Sequence, residues 1–176
     1  KAIFLDRDGT INKYIGFLRN INDFELLPGV NEAIKMINAS GYLAIVVTNQ
    51  PVIARGEVSF AELDEIHNKM ETLLGKDGAY LDAIYFCPHH PHKGYEGEIP
   101  ELKFDCDCRK PKPGLLIKAA EDFNIDLSKS WMIGDGESDV LAGKAAGCKT
   151  ILLSNEHCDT MTCANLLDAV RLILKE

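Results

Sequence analysis

Three apolar runs in this chain each stop on polar residues, and stretches of helical periodicity lie between the runs. "AIFLD" ends at Asp6, "AIVVTN" at Thr48 and Asn49, and "WMIGD" at Asp135. Runs that are apolar throughout, without alternation, are expected of strands covered on both faces. Strands are predicted over Ala2–Leu5, Tyr42–Val47, Ala83–Phe86, Trp131–Ile133 and Thr150–Leu153. A first helix spans Val30–Ala39, with Val30, Ala33, Ile34 and Ile37 on one face and Gly41 as its stop. A second starts at Ser59, which forms a capping box with Glu62. Its buried stripe is Leu63, Ile66, Met70, Leu73 and Leu74. Pro113 opens a third, with Leu116, Ile117, Ala120 and Phe123 behind it. Val140–Ala146 and Leu166–Leu174 complete the helices. This alternation predicts an α/β fold, a Rossmann-like three-layer sandwich with a central parallel sheet.

In such a sheet, ligands bind beyond the carboxyl ends of the strands. The topology therefore brings Asp6, Asp8, Thr48, Asn49 and Asp135 to one edge. Crowded carboxylates repel, and burial worsens the repulsion. A hard divalent cation such as Mg²⁺, which takes carboxylate oxygens together with phosphate and water, relieves it. One carboxylate is then free to attack phosphorus and another to carry protons. Thr48 offers a hydroxyl and Lys110 or Lys112 a cation for the transferring group. Taken singly, each feature has a plain reading: D-x-D as a turn, Thr48-Asn49 as a helix cap, Lys110 as a surface charge. Their order along one sheet edge favours a site.

The chain has 176 residues, 46% apolar and 26% charged, the composition of one soluble globular domain over 1–176. A net charge of −8, from 19 basic and 27 acidic residues, argues against a nucleic-acid partner. No apolar run is long enough to cross a bilayer. No signal-peptide pattern is visible, and the chain lacks an initiator Met, as a trimmed chain or a piece of a longer one would. A cytoplasmic location is expected.

Two segments resist the pattern of strands and helices, Asn12–Leu27 and His89–Lys112. The second overlaps "FCPHHPHKGYEGEIPELKFDCDCRK", in which Cys87, His89, Cys106 and Cys108 read C-x-H then C-x-C. Three thiolates and one imidazole match a closed, structural Zn²⁺ site, which would clip a loop of about 87–108 too polar to pack alone. The clip ends directly at Arg109 and Lys110 and so orients both over the cleft. A Cys106–Cys108 or Cys87–Cys106 disulfide, or simply buried thiols, compete with this reading, and His90 and His92 are alternative ligands. Cys148, Cys158 and Cys163 read as ordinary core or surface cysteines.

In order, "DRDGT", "VVTNQ", "CRKPKPG" and "MIGDGESD" resemble the four motifs of the haloacid dehalogenase (HAD) superfamily of phosphohydrolases. The resemblance runs from Ala2 to about Leu153. It implies Asp6 as nucleophile and Asp8 as general acid/base, with the Asp8 backbone carbonyl also on Mg²⁺. It implies Thr48 as the phosphate-binding hydroxyl, Lys110 as the cation, and Asp135 as the Mg²⁺ carboxylate with Asp139 in support. The zinc loop is similar to that of two groups in the superfamily, both without a large cap domain: the D-glycero-D-manno-heptose 1,7-bisphosphate phosphatases and the histidinol-phosphate phosphatase domain. "TNQPVIARGEVS" favours the heptose group. Arg55 and Arg109 would then hold a second phosphate, and Asn49 and Gln50 the reacting phosphate or sugar hydroxyls. Pro51-Val52 and Gly136 depart from that group's pattern, which has a small residue and Gly, and a Lys, at those places.

The expected function is therefore Mg²⁺-dependent hydrolysis of a small sugar phosphate, namely release of the 7-phosphate of the heptose bisphosphate. Histidinol-phosphate hydrolysis is the rival activity. A non-catalytic, zinc-organised module of a bifunctional carbohydrate-pathway protein is the rival of another class. The expected partner is a small phosphorylated metabolite, met by a monomer or by one part of a larger bifunctional chain.

Overall fold

The computed structural model describes residues 1–156 and 159–175, so Cys158 lies outside the described residues. Six parallel strands form one sheet in the order β3-β2-β1-β4-β5-β6. They are β1 (Ala2–Leu5), β2 (Leu43–Asn49), β3 (Ala83–Cys87), β4 (Trp131–Gly134), β5 (Lys149–Leu153) and β6 (Thr162–Cys163). The helices are α1 (Val30–Ala39), α2 (Phe60–Gly75), α3 (Gly114–Phe123), α4 (Glu137–Ala146) and α5 (Leu166–Ile173). Strand β2 runs through Thr48 and Asn49, beyond the predicted Val47, because both residues pair with β3 in register with Phe86 and Cys87.

Side chains of successive strand residues point to opposite faces, which divides the core in two. Ile3, Leu5, Ala44, Val46, Ile133 and Ile151 pack with α1, α2 and α5. Ala2, Phe4, Ile45, Val47 and Met132 pack with α3 and α4. The result is the expected three layers. A smaller cluster, Val52, Ile53, Val58 and Leu63, sits beneath the loop that follows β2. Ser59 and Glu62 form the predicted capping box on α2. On α3, by contrast, the buried face is Leu115, Leu116 and Ala119, while Ile117 and Phe123 are exposed. The helix begins one residue later than the Pro113 signal implies, because Pro113 is its cap. The segments that resisted the pattern contain single 3-10 turns, Ile21–Asp23 and Pro100–Leu102, and in the first an isolated antiparallel bridge between Asn12 and Leu26. Among the described residues, no helix is long and apolar enough to cross a membrane.

Helix α4 lies close against β4 and β5 because Gly143 has no side chain. A Cβ there would come within 2.7 Å of both Met132 Cβ and Thr150 Cγ2. Neither atom is the free end of a flexible chain. Gly143→Ala should therefore cost about 1–3 kcal/mol by overpacking, more than the helix propensity it gains. Urea unfolding would report it as a lower midpoint at unchanged slope.

Candidate active site

The carboxyl ends of β1, β2 and β4 meet at a cavity of about 190 Å³, lined by Asp6, Asp8, Asn49, Gln50, Arg109, Lys110 and Asp135 among others. Asp6 follows the last residue of β1, and its N–H donates to Ile133 O at 2.9 Å, which holds it beside the end of β4. Asp135 follows β4 directly. Gly9, at φ 81°, lets the turn after β1 press against Asp135, since any Cβ there would collide with the Asp135 carboxylate. Carboxylate oxygens of Asp6, Asp135 and Asp139 all lie within 4.8 Å of one another.

Lys110 joins this acid group. Its Nζ donates to Asp6 Oδ1 at 2.7 Å, Asp139 Oδ1 at 2.6 Å and Val47 O at 2.8 Å. Burial opposes its charge, but Asp6 and Asp139 outweigh burial and raise its pKa. Asp139 receives Gly136 N–H on its other oxygen at 3.0 Å and so closes the first turn of α4. Burial raises the Asp6 carboxyl to about 7. The Asp139 and Asp8 charges push the same way, against Lys110. Asp135 reaches solvent, yet partial desolvation and Asp139 raise its pKa too. One lysine does not neutralise this group of acids.

Asn49 grips the backbone of Lys110 from both sides, accepting its N–H at 3.0 Å and donating to its carbonyl at 3.0 Å. Thr48 is buried, and its Oγ1 accepts from Gln50 Nε2 at 3.0 Å. The same Gln50 nitrogen lies 2.9 Å from Asp8 Oδ2. Neither Thr48 nor Arg55 lines the cavity.

Cys87, His89, Cys106 and Cys108 converge as a second group. Cys87 Sγ lies 3.4 Å from Cys106 Sγ and 2.9 Å from Cys108 Sγ, and His89 Nδ1 lies 3.2 Å from Cys108 Sγ. All three cysteines are free thiols. Their mutual contacts pull Cys108 down to about 5 while pushing Cys87 up, so the group holds protons unevenly. His90 faces away, toward Lys103 Nζ at 2.9 Å and the carbonyl of His92 at 3.1 Å, and neither His90 nor His92 belongs to the cluster.

Comparison with known proteins places the chain in a family. The HAD-hydrolase-like family model matches residues 107–169. The D-glycero-beta-D-manno-heptose-1,7-bisphosphate 7-phosphatase of Haemophilus ducreyi is 46% identical over 154 residues, which cover 87% of this chain and 82% of that protein. The chain belongs to this phosphatase family. The Escherichia coli K12 member is 42% identical over 152 residues, covering 86% and 78% of the two chains. A crystal structure of D,D-heptose 1,7-bisphosphate phosphatase from B. bronchiseptica, complexed with magnesium and phosphate, superposes with a TM-score of 0.85 at 31% identity. It covers 99% of this chain and 98% of that one.

Within this family frame, the two arginines part company. Arg109 lines the cavity, with Nη1 3.4 Å from His89 O. Arg55 instead stacks between two rings, 4.6 Å from the centroid of Phe17 and 4.7 Å from that of Tyr95. It ties together the loops that carry those residues. Phe17 and Tyr14 also line the cavity. Sequence reasoning passed over both, because aromatic residues in an irregular segment carry no periodic signal. It also passed over Arg7, which lies between the two motif acids and is fully buried. An arginine in a buried turn is a signal in itself, since its charge needs a partner.

Proposed function

We propose that the chain is a Mg²⁺-dependent phosphomonoesterase that removes the 7-phosphate from D-glycero-D-manno-heptose 1,7-bisphosphate by way of an aspartyl-phosphate on Asp6. The observation that carries this reading is the contact of Lys110 Nζ with both Asp6 and Asp139, beside Asp135 and within one cavity. Lys110 keeps Asp6 oriented and offers positive charge to the equatorial phosphoryl oxygens. Asp6 Oδ attacks phosphorus in line, forming the O–P bond as the bond to the sugar oxygen breaks. Asp8 gives its proton to the leaving oxygen, then takes one from the water that hydrolyses the aspartyl-phosphate.

Asp6, Asp135 and the Asp8 carbonyl would hold Mg²⁺. The raised carboxyls of Asp6 and Asp135 fit that donor set, because a hard cation favours the charged forms that burial, and behind it the neighbouring acids, disfavour. When bound, Mg²⁺ supplies charge neutralisation and orients the phosphate. Asp139 has both oxygens committed to Lys110 and Gly136, and acts by holding Lys110. Thr48 reaches the phosphate once Gln50 turns from it to substrate. Asn49 contributes through the Lys110 backbone. Arg109 is placed for the second phosphate by its fork of donors. Arg55 reaches it only by leaving its aromatic stack. Cys87, His89, Cys106 and Cys108 would hold Zn²⁺ in a closed structural site, since four converging S and N donors suit it. The four also favour a reducing, cytoplasmic setting.

The test is phosphate release from a panel of sugar mono- and bisphosphates and histidinol phosphate, with Mg²⁺ and with chelator. The heptose bisphosphate should give the highest kcat/KM, and chelation should abolish release. A higher value for histidinol phosphate would overturn the substrate, and release unaffected by chelation would overturn the metal role.

A further inference from the structure

Arg7 heads the fully buried side chains by volume among the described residues, and it is 0% exposed. Its Nη2 donates to both oxygens of Asp8, at 2.8 and 3.0 Å. Its Nη1 lies 3.2 Å from Nε2 of His67, on α2. A guanidinium carries only donors, so His67 must accept at Nε2 and keep its hydrogen on Nδ1. His67 is 6% exposed, and its ring packs against Phe86 at 6.0 Å between centroids. Burial, with the Arg7 charge, holds its pKa down at about 4, so the acceptor persists at neutral pH.

The backbone of Arg7 is anchored as firmly as its side chain. Its carbonyl accepts from the N–H groups of Thr10, Ile11 and Asn12 at 3.2, 2.8 and 3.1 Å. Asn12 Nδ2 adds a bond to Asp8 Oδ1 at 2.9 Å. Gln50 Nε2 adds a bond to Asp8 Oδ2 at 2.9 Å, so donors meet every acceptor position of the carboxylate. When Gln50 turns to substrate, Oδ2 is freed for the proton, while Arg7, held from behind by His67, keeps the carboxylate in plane.

We propose that His67, which lies outside the cavity, is a positioning residue that acts through Arg7 to hold the Asp8 carboxylate in the orientation that proton transfer requires. The inference rests on the acid/base role given to Asp8 above. A carboxylate free to rotate would lose the alignment on which acid–base catalysis depends.

The test separates the proton from the fold by the choice of leaving group. A sugar phosphate expels an alkoxide that needs a proton, whereas p-nitrophenyl phosphate expels a stable phenolate that does not. Rapid-mixing kinetics measure the first phosphoryl transfer for each, with Mg²⁺ present. His67→Leu should slow the sugar ester about 10- to 100-fold while keeping the nitrophenolate burst within about twofold of wild type. A slow steady state should follow the burst, because hydrolysis of the intermediate also uses Asp8. His67→Gln should restore the sugar-ester rate, since its amide oxygen can accept Nη1. Arg7→Lys, which keeps the charge but not the fork, should reproduce the split and stands in if His67→Leu does not fold.

Equal slowing of both substrates, or a Gln variant no better than Leu, would overturn the inference. Asp8→Asn is the control. If it shows no leaving-group split, the acid/base reading itself fails. If Asp8→Asn shows the split and the His67 and Arg7 variants do not, only the positioning role fails.

Discussion

Asp6→Asn is expected to abolish turnover, by on the order of 10⁴-fold or more, while the protein still folds. The amide has the shape of the carboxylate but not its nucleophilic charge. Lys110 keeps Asp139 as a partner, so no buried cation is stranded. Stability gives a second readout with a definite sign. The Asp6 carboxyl is raised from 3.8 to about 7 in the fold, so over that window the unfolded chain gives up its proton while the folded chain retains it. Stability of the metal-free protein therefore falls as pH rises through this window, and the loss is complete above it. Asn does not titrate, so the variant's stability should decline less between those pH values. Phosphate release at the wild-type rate, with deamidation excluded by mass, would refute the nucleophile assignment. A stability profile as steep as wild type would refute the electrostatic account of Asp6.

The second large effect is expected at the zinc loop. Cys106→Ser removes one of four converging ligands, and the loop between Cys87 and Cys108 contains little apolar packing of its own. Thermal unfolding should fall by about 10 °C or more, since metal binding there contributes to folding. Bound zinc, measured by elemental analysis, should drop from one per chain to a small fraction. Activity should fall on the order of 100-fold, because Arg109 and Lys110 follow Cys108 directly and small misplacements are costly. Asn49 still grips the Lys110 backbone, so activity should fall without vanishing. Unchanged melting and unchanged turnover in a zinc-free variant would contradict the structural role.

These effects were legible in the sequence to different degrees. The sheet was readable because its central strands, β1, β2 and β4, are buried on both faces and therefore run apolar, and the polar residues that end them marked the site edge. Strand β6 escaped because Thr162 and Cys163 are too short a run to carry a pattern. The face of α3 was misplaced by one position: Ile117 and Phe123 look like core by composition, but Leu115, Leu116 and Ala119 turn inward.

At the site, Asp6, Asp135 and Lys110 were visible because motif chemistry fixes their types. The position of the Lys110 ammonium depends also on Asp139 and the carbonyl of Val47, which come from separate elements. The contacts of the Gln50 amide with Asp8 and Thr48, which hold it in the absence of substrate, have no local signal in the sequence. Arg55 was read as a phosphate clamp, and it rests between Phe17 and Tyr95, partners far apart in the chain that no local pattern predicts. The pairing of Arg7 with His67 spans 60 positions and is visible only in three dimensions.

The most direct test of the central claim is to mix the protein with its phosphorylated substrate and Mg²⁺, quench in acid within the turnover time, and locate the modification by peptide mass spectrometry. The account predicts one added phosphoryl group, on Asp6, dependent on Mg²⁺. A phosphoryl group on any other residue, or turnover with none trapped on Asp6 under conditions where the intermediate accumulates, would contradict it.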